Sequence, residues 1–451
     1  MRLPRATLWL ILALAALPAR AEEPAEPGNA AIHYWCAAAA MKRPANDQEQ
    51  KLLDYIEEWC HLPPKVFIER GEAVSFLKED IKAGGAMDFL HVGAGCSQCD
   101  FDTDRLTGEV RDLNLDSFRK LARRSFAAAV VLEGEGHALR AAQLRADVLQ
   151  FSAHLSQCPY FAYALNGDGL LSVSLPQMEA FLARKPGPIA LRALMDRLDR
   201  IPPNPLSFSR CMSYAAKFEP ALLKKVLLLS DKDLDQVLAA TEEGQFQDCF
   251  GPAWENVWLM LRSKTPEERQ GLLEGWTTQL GDELNAVARA CDGPPYQSEP
   301  LIRAEVERMR RLCIPADAQD FSGNPFLTLW PEVVIHAYAV FAFENGRLEM
   351  ARILCAAALF EARKGEYPAS LNALSTYFPA GFPKDPFTGK DFLYALEEQL
   401  PTVTAQPTAS LLEELSASDC RMSMALTLKI QASYLEHYRN EVQSPAPDAH
   451  N

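Results

Sequence analysis

The densest collection of chemistry-bearing side chains lies between His91 and Glu109, a stretch that holds His91, Cys96, Cys99, Asp100, Asp102, Asp104 and Glu109. His91-x4-Cys96-x2-Cys99 offers imidazole nitrogen and thiolate sulfur, the donors that zinc takes. Asp100-x-Asp102-x-Asp104 opens like a calcium loop of the EF-hand type, which presents oxygens from alternate positions. Such a loop also needs Gly at position six and Glu at position twelve, where this chain has Arg105 and Arg111. Zinc and calcium are therefore the two metals the stretch suggests, set against a solvated acidic loop with no cofactor at all. Cys96-x-x-Cys99 has the spacing of disulfide oxidoreductases but lacks the strand and helix that frame that motif.

Other constellations are sparse. The chain contains no G-x-S-x-G, H-E-x-x-H, P-loop or G-x-G-x-x-G sequence, so no catalytic residue is assigned. The eight histidines (His33, His61, His91, His137, His154, His336, His437, His450) include no pair three or four apart, which rules out a two-histidine zinc site on one helix face. His336 sits in an apolar run and reads as a core residue. Paired carboxylates could hydrolyse glycosides in an α/α cleft, but with 60 Asp and Glu available spacing selects no pair.

These residues must be positioned by helices, because the helical period dominates the chain. Asn46 caps a helix with Leu52, Leu53, Ile56 and Trp59 on one face. Ala73, Phe76, Leu77 and Ile81 continue the pattern, and Gly84-Gly85 stops it. The stretch 86–112 reads as a loop. Asp116 opens a strong helix, Gly134 and Gly136 break it, and a second helix follows over about 137–156, which together make an αα-hairpin. Further helices are expected near 175–185, 187–200, 206–229, 231–243, 252–263, 265–290 and 298–313, separated by short breakers such as Pro186-Gly187 and Pro202-Pro203. A long helix spans roughly 325–364, with Gly346 expected to interrupt it. The fold class is thus mainly α: an irregular α-helical, α-solenoid-like array followed by a small α+β module.

Composition and the N-terminus bound the function. With 45 Lys and Arg against 60 Asp and Glu, the formal charge is −15, a poor match to nucleic acid, whose affinity rests on neutralising phosphates. Arg2 and Arg5, the apolar run Ala6 to Leu17 and Ala19-Arg20-Ala21 form a secretory signal peptide with cleavage after Ala21. The run is shorter than the roughly 20 apolar residues of a spanning helix, so no transmembrane helix is expected after cleavage. Export to periplasm, cell envelope or medium places all 11 cysteines in an oxidising compartment. Some are then expected to pair as disulfides, including at least one of Cys96 and Cys99. The organisation reads as a signal peptide (1–21), a disordered leader (22–28), a helical array (29–320), a long helix plus small module (321–443) and a disordered tail (444–451).

The segment after the long helix carries a recognisable pattern. Gly365, Tyr367, Pro368, Leu371 and Leu374 form G-x-Y-P-x-x-L-x-x-L, and Asp385, Pro386, Gly389 and Tyr394 form D-P-x-x-G-x-x-x-x-Y. About 70 residues of this kind resemble the C-terminal module of type II secretion major pseudopilins. The whole chain is similar to large secreted bacterial helical proteins that carry that module after a helical region. Asn29-Ala30-Ala31 with Tyr34-Trp35 resembles their mature start, and Cys99-Asp100-Phe101 their early loop. The resemblance implies no activity. A pseudopilin has its helix at the extreme N-terminus and ends in a calcium loop, whereas here the helix is internal and no such loop aligns. Taken as residues alone, Tyr367-Pro368 ends a helix and Asp385-Pro386 with Gly389 makes a turn.

The reading that follows is an exported helical scaffold or binding protein without catalysis, whose partner is an unknown envelope protein or polymer. The alternatives are an exported hydrolase using paired carboxylates and an accessory of a type II secretion or pilus-like system.

Overall fold

The computed structural model describes residues 28–59, 71–101, 115–202, 204–227, 261, 263–313, 323–328, 330–397, 399–417 and 427–429. The signal segment, the helix expected over 231–243, nearly all of that over 252–263, and the tail lie outside these residues.

The chain is mainly α-helical. Helices α1 (Ala30–Ala40), α2 (Asp47–Trp59), α3 (Gly71–Ile81) and α4 (Ala86–Gly95) lead into the hairpin of α5 (Leu115–Gly134) and α6 (Ala138–Ser156). The starts are capped as their sequences require. Asn29 Oδ1 accepts from Ala31 N at 3.1 Å. Asn46 Oδ1 accepts from Glu49 N at 2.9 Å, satisfying one of the first turn's orphan N–H groups, while Glu49 Oε2 accepts from Ala45 N just before the cap at 2.8 Å.

Helix α4 corrects the loop expected over 86–112. Ala86, Met87, Leu90 and Ala94 recur at helical spacing and are buried. Gly93 reads as a breaker, yet it lies inside the helix for steric reasons: a Cβ there would come within 2.7 Å of the Tyr34 ring of α1.

The array continues through α7 (Phe161–Ala183), α8 (Pro188–Leu198), α9 (Phe208–Leu227), α10 (Pro266–Ala290) and α11 (Pro295–Leu312) to α12 (Trp330–Lys364). α10 begins with a capping box of Thr265 and Glu268. One apolar core gathers α1 to α6 with part of α7. A second, sharing α6 and α7, runs from Ala142 to Leu411.

α12 is the axis of that second core, packing on α7, α8 and α11. The stretch Pro325–Lys364 is long and apolar enough to cross a membrane by length and composition, yet 71% of its apolar window is buried inside the protein. Gly346 does not interrupt α12. It is a notch: a Cβ there would meet Phe387 and Pro386 at 3.2 Å, so the absent side chain lets the C-terminal turn seat on the helix.

That turn leads into a small antiparallel sheet of β1 (Leu393–Glu397), β2 (Leu400–Thr404) and the short β3 (Thr427–Lys429), in the order β1-β2-β3. Leu393 pairs with Thr404 and Tyr394 with Val403. Helix α13 (Ala409–Ala417) follows β2 and packs on α12.

The expected disulfides are overturned. All eight described cysteines are free: Cys36, Cys96, Cys99, Cys158, Cys211, Cys291, Cys313 and Cys355; Cys60, Cys249 and Cys420 lie outside the described residues. The physical reason is placement. Cys158, Cys211 and Cys355 are buried as small side chains, and the thiols of Cys211 and Cys355 face backbone carbonyls. Cys211 Sγ lies 3.9 Å from Cys158 O, and Cys355 Sγ 3.9 Å from Leu191 O. Helix packing fixes these segments without a cross-link.

Candidate functional site

Helix α6 is buried on most of its circumference, so the polar residues along it need partners. Arg140, Gln143, Asp147, Gln150 and His154 recur every three or four residues and therefore share one face. Across from them, α4 presents Asp88 and His91, three apart, α1 presents Tyr34, and α8 presents Arg197.

Asp147 is the centre of this seam and is 1% exposed. Its Oδ2 lies 2.7 Å from His91 Nδ1, and its Oδ1 lies 2.8 Å from an Arg197 guanidinium nitrogen. Arg197 also donates to Ala94 O at 2.8 Å, which ties the guanidinium to the end of α4. One carboxylate is thus held between an imidazole and a guanidinium from two other helices.

Its charge has consequences for both partners. The hydrogen bond that His91 gives to Asp147 holds the imidazole above its ordinary value. Burial raises the Asp147 carboxyl, against the pull of His91 and Arg197. Deeper along α6, Tyr34 Oη lies 2.6 Å from His154 Nδ1, and the Gln150 amide lies 2.9 Å from His154 Nε2. Burial, with the Arg197 charge as a lesser cause, lowers His154 to about 4. His154 is therefore a neutral hydrogen-bonding group, and Tyr34, raised well above its usual value by burial, stays a phenol.

The outer end of the seam opens on a cavity of about 550 Å³, within the size range of small-molecule sites. His91, His137, Arg140, Gln143 and Asp88 supply its polar lining; Ile81, Met87, Leu132, Leu139 and Leu144 supply the apolar one. Arg140 donates to Ile81 O at 2.8 Å and stands 3.7 Å from Asp88. Among the described residues that line it there is no Ser, Thr, Cys, Lys or Tyr, so the cavity presents a held imidazole with no hydroxyl, thiol or amine beside it.

Among the described residues, the sequence-selected metal candidates form no common site. His91 turns toward Asp147 on α6. Cys96 Sγ instead points back at Val92 O, 3.5 Å away, and burial raises both the Cys96 and Cys99 thiols, the reverse of what a thiolate ligand needs. Asp100 serves the backbone: its N–H donates to Asn29 Oδ1 at 2.8 Å, while Asn29 Nδ2 donates to Asp100 O at 2.5 Å. With Ala30 N bonded to Gln98 O at 2.9 Å, the segment after Cys96 clasps the start of α1. Asp102 and Asp104 lie outside the described residues. No three His, Cys, Asp or Glu side chains come together as a metal set among the described residues.

The C-terminal pattern residues are fold devices. Asp385 Oδ1 accepts from Phe387 N at 2.9 Å, and its Oδ2 accepts from Gln406 N at 2.9 Å. Its own backbone closes the turn through Gly389 N→Asp385 O at 2.8 Å and Asp385 N→Lys390 O at 2.8 Å. Pro386 offers its carbonyl to Tyr296 N at 3.1 Å. Gly389 has φ of 70° and abuts the Tyr296 ring. Pro368 gives its carbonyl to Tyr394 Oη at 2.8 Å, and Tyr367 packs at the core's edge.

Two carboxylates do meet elsewhere, but in the interior. Asp168 and Glu344 are 5% and 0% exposed. Arg347 pairs with Glu344 at 3.0 Å. Burial, reinforced by the Glu344 charge, raises Asp168 well above the carboxylate range.

No protein-family model, curated protein or solved structure matches the chain.

Proposed function

We propose that this chain is an exported, non-catalytic binding protein of the cell envelope that takes its ligand in the cavity beside His91. The observation that carries the reading is the His91–Asp147–Arg197 arrangement at that cavity. Three helices commit side chains to fixing one imidazole at its wall, and the lining puts no Ser, Thr, Cys, Lys or Tyr beside it. A preorganised polar group among apolar neighbours suits binding. The α-solenoid-like reading of the array and the pseudopilin-like reading of the C-terminal module belong to the same proposal: an extended helical body to bind, and a module able to dock on other envelope components.

The hydrolase alternative draws on the same imidazole, which could serve as a base toward water; its paired carboxylates find their nearest counterpart in the enclosed Asp168 and Glu344. Native mass spectrometry of protein purified from the envelope tests the binding reading. A non-covalent small-molecule adduct is expected on the wild type and is expected to vanish in Ala138→Trp, which fills the cavity. No adduct, or an adduct unchanged in the variant, would overturn it.

A further inference from the structure

Which ligand the cavity takes can be argued from what its polar groups have left to offer, an argument that rests on the binding reading above. Asp147 has a partner on each oxygen, His91 and Arg197, and is 1% exposed; it has no surface with which to attract a cation. Asp88, the other carboxylate in the wall, faces Arg140. The remaining groups can donate: the His91 edge away from Asp147, the His137 ring, the Gln143 amide nitrogen and the rest of the Arg140 guanidinium. His137 is also the N-cap residue of α6 and makes no side-chain capping bond. That leaves the positive end of a 19-residue helix opening on the same cavity.

The other half of the wall is aliphatic. Ile81, Met87, Leu132 and Leu144 line it, and Leu139 stands at it 42% exposed. Donors on one side of the cavity and aliphatic side chains on the other match a ligand that is apolar along its length and anionic at one end.

We propose that the cavity binds an amphiphilic carboxylic acid of the medium-chain fatty-acid class, its carboxylate against His91, His137 and Arg140 and its chain along Ile81, Leu132, Leu139 and Leu144. The affinity is expected to depend on pH through His91. The charged groups that face His91 are Asp147 from α6, Arg197 from α8 and Asp88 from its own helix. With Asp147 and Arg197 balancing each other, protonation of His91 adds a net positive charge at the carboxylate's position. Binding should strengthen as pH falls through the imidazole range.

The test is calorimetric titration of the full mature chain with octanoate, octanol and acetate at pH 6 and pH 8, alongside the His91 side-chain ¹⁵N shift. The expected result is octanoate binding at least tenfold more tightly than octanol or acetate, and several-fold more tightly at pH 6 than at pH 8. Arg140→Gln and Leu139→Asp, both at exposed positions, should each weaken octanoate about tenfold, with Leu139→Asp leaving Tm unchanged. Octanol matching octanoate would overturn the acid while leaving the cavity as a binding site. Acetate matching octanoate would overturn the aliphatic chain. If no ligand moves the His91 shift, the fatty-acid assignment fails; an adduct still lost from Ala138→Trp would then keep the binding reading, and the absence of that adduct would remove both.

Discussion

Removing the Asp147 carboxylate would leave a buried guanidinium and a half-buried imidazole without their shared anion. Asp147→Ala is therefore expected to cost about 3 kcal/mol, the order seen when one partner of a buried ion pair is deleted, read from urea unfolding. The two histidines that bracket this seam should shape stability against pH in opposite directions. His91 is raised in the folded chain. Its contribution is complete below the unfolded value near 6.5 and fades as pH rises through the folded value. His154 is lowered to about 4, so its contribution is complete above about 6.5 and fades as pH falls toward 4. Tm is expected to be highest near pH 6.5. His91→Gln should flatten the alkaline limb and His154→Gln the acid limb; limbs unchanged in both variants would contradict these assignments. At this scale the sequence exposes His91 but not its role. His91, Asp147 and Arg197 come from three helices, and only the three-and-four spacing of Arg140, Gln143, Asp147, Gln150 and His154 hints that α6 carries a polar face through a core.

Elements are legible where their cause is local. Asn46, Gly134 and Gly136 act within a few residues of where they stand, and the α5–α6 hairpin and the first caps follow from them. The turn at Asp385-Pro386-Gly389 is local in the same sense. Asp385→Ala removes two side-chain acceptor bonds and should cost about 2–3 kcal/mol. Gly389→Val combines a left-handed φ with contact against Tyr296 and should cost about 2 kcal/mol or more. Pro368→Ala keeps the carbonyl that Tyr394 uses, so its expected loss, under about 1 kcal/mol, comes through the unfolded chain. Elements are hidden where the cause is distant. Gly93 looks like a breaker until Tyr34 is seen against it, and Gly346 looks like a kink until Phe387 and Pro386 occupy its notch. Gly346→Leu should therefore leave α12 helical and unseat the turn, detected as faster hydrogen exchange over Leu393–Thr404. Protection unchanged there would show that the notch carries none of the docking.

For the molecule as a whole, the sequence conveys the helical class and the long α12, but not that α12 is the axis of a core reaching from α6 to α13. Such long-range packing leaves only apolar periodicity in the sequence, the same for any partner. The oxidising compartment expected from the signal-like N-terminus, together with the cysteine count, points toward disulfides. Helix packing instead uses the described thiols as fillers, a choice composition does not reveal. Export itself rests on Arg2, Arg5 and the apolar run before Ala21; peptide mapping of the secreted chain should begin at Glu22, and an intact Met1 would contradict it. The central claim is that the cavity walled by His91, Arg140 and the apolar side chains of α3 to α6 is where this protein meets its ligand. The most direct measurement is an experimental structure of the full mature chain purified from its own envelope without added ligand. The account predicts density in that cavity for an elongated molecule with its polar end at His91 and Arg140. A cavity holding only water, with His91 still on Asp147 and a bound molecule seated elsewhere, would contradict it.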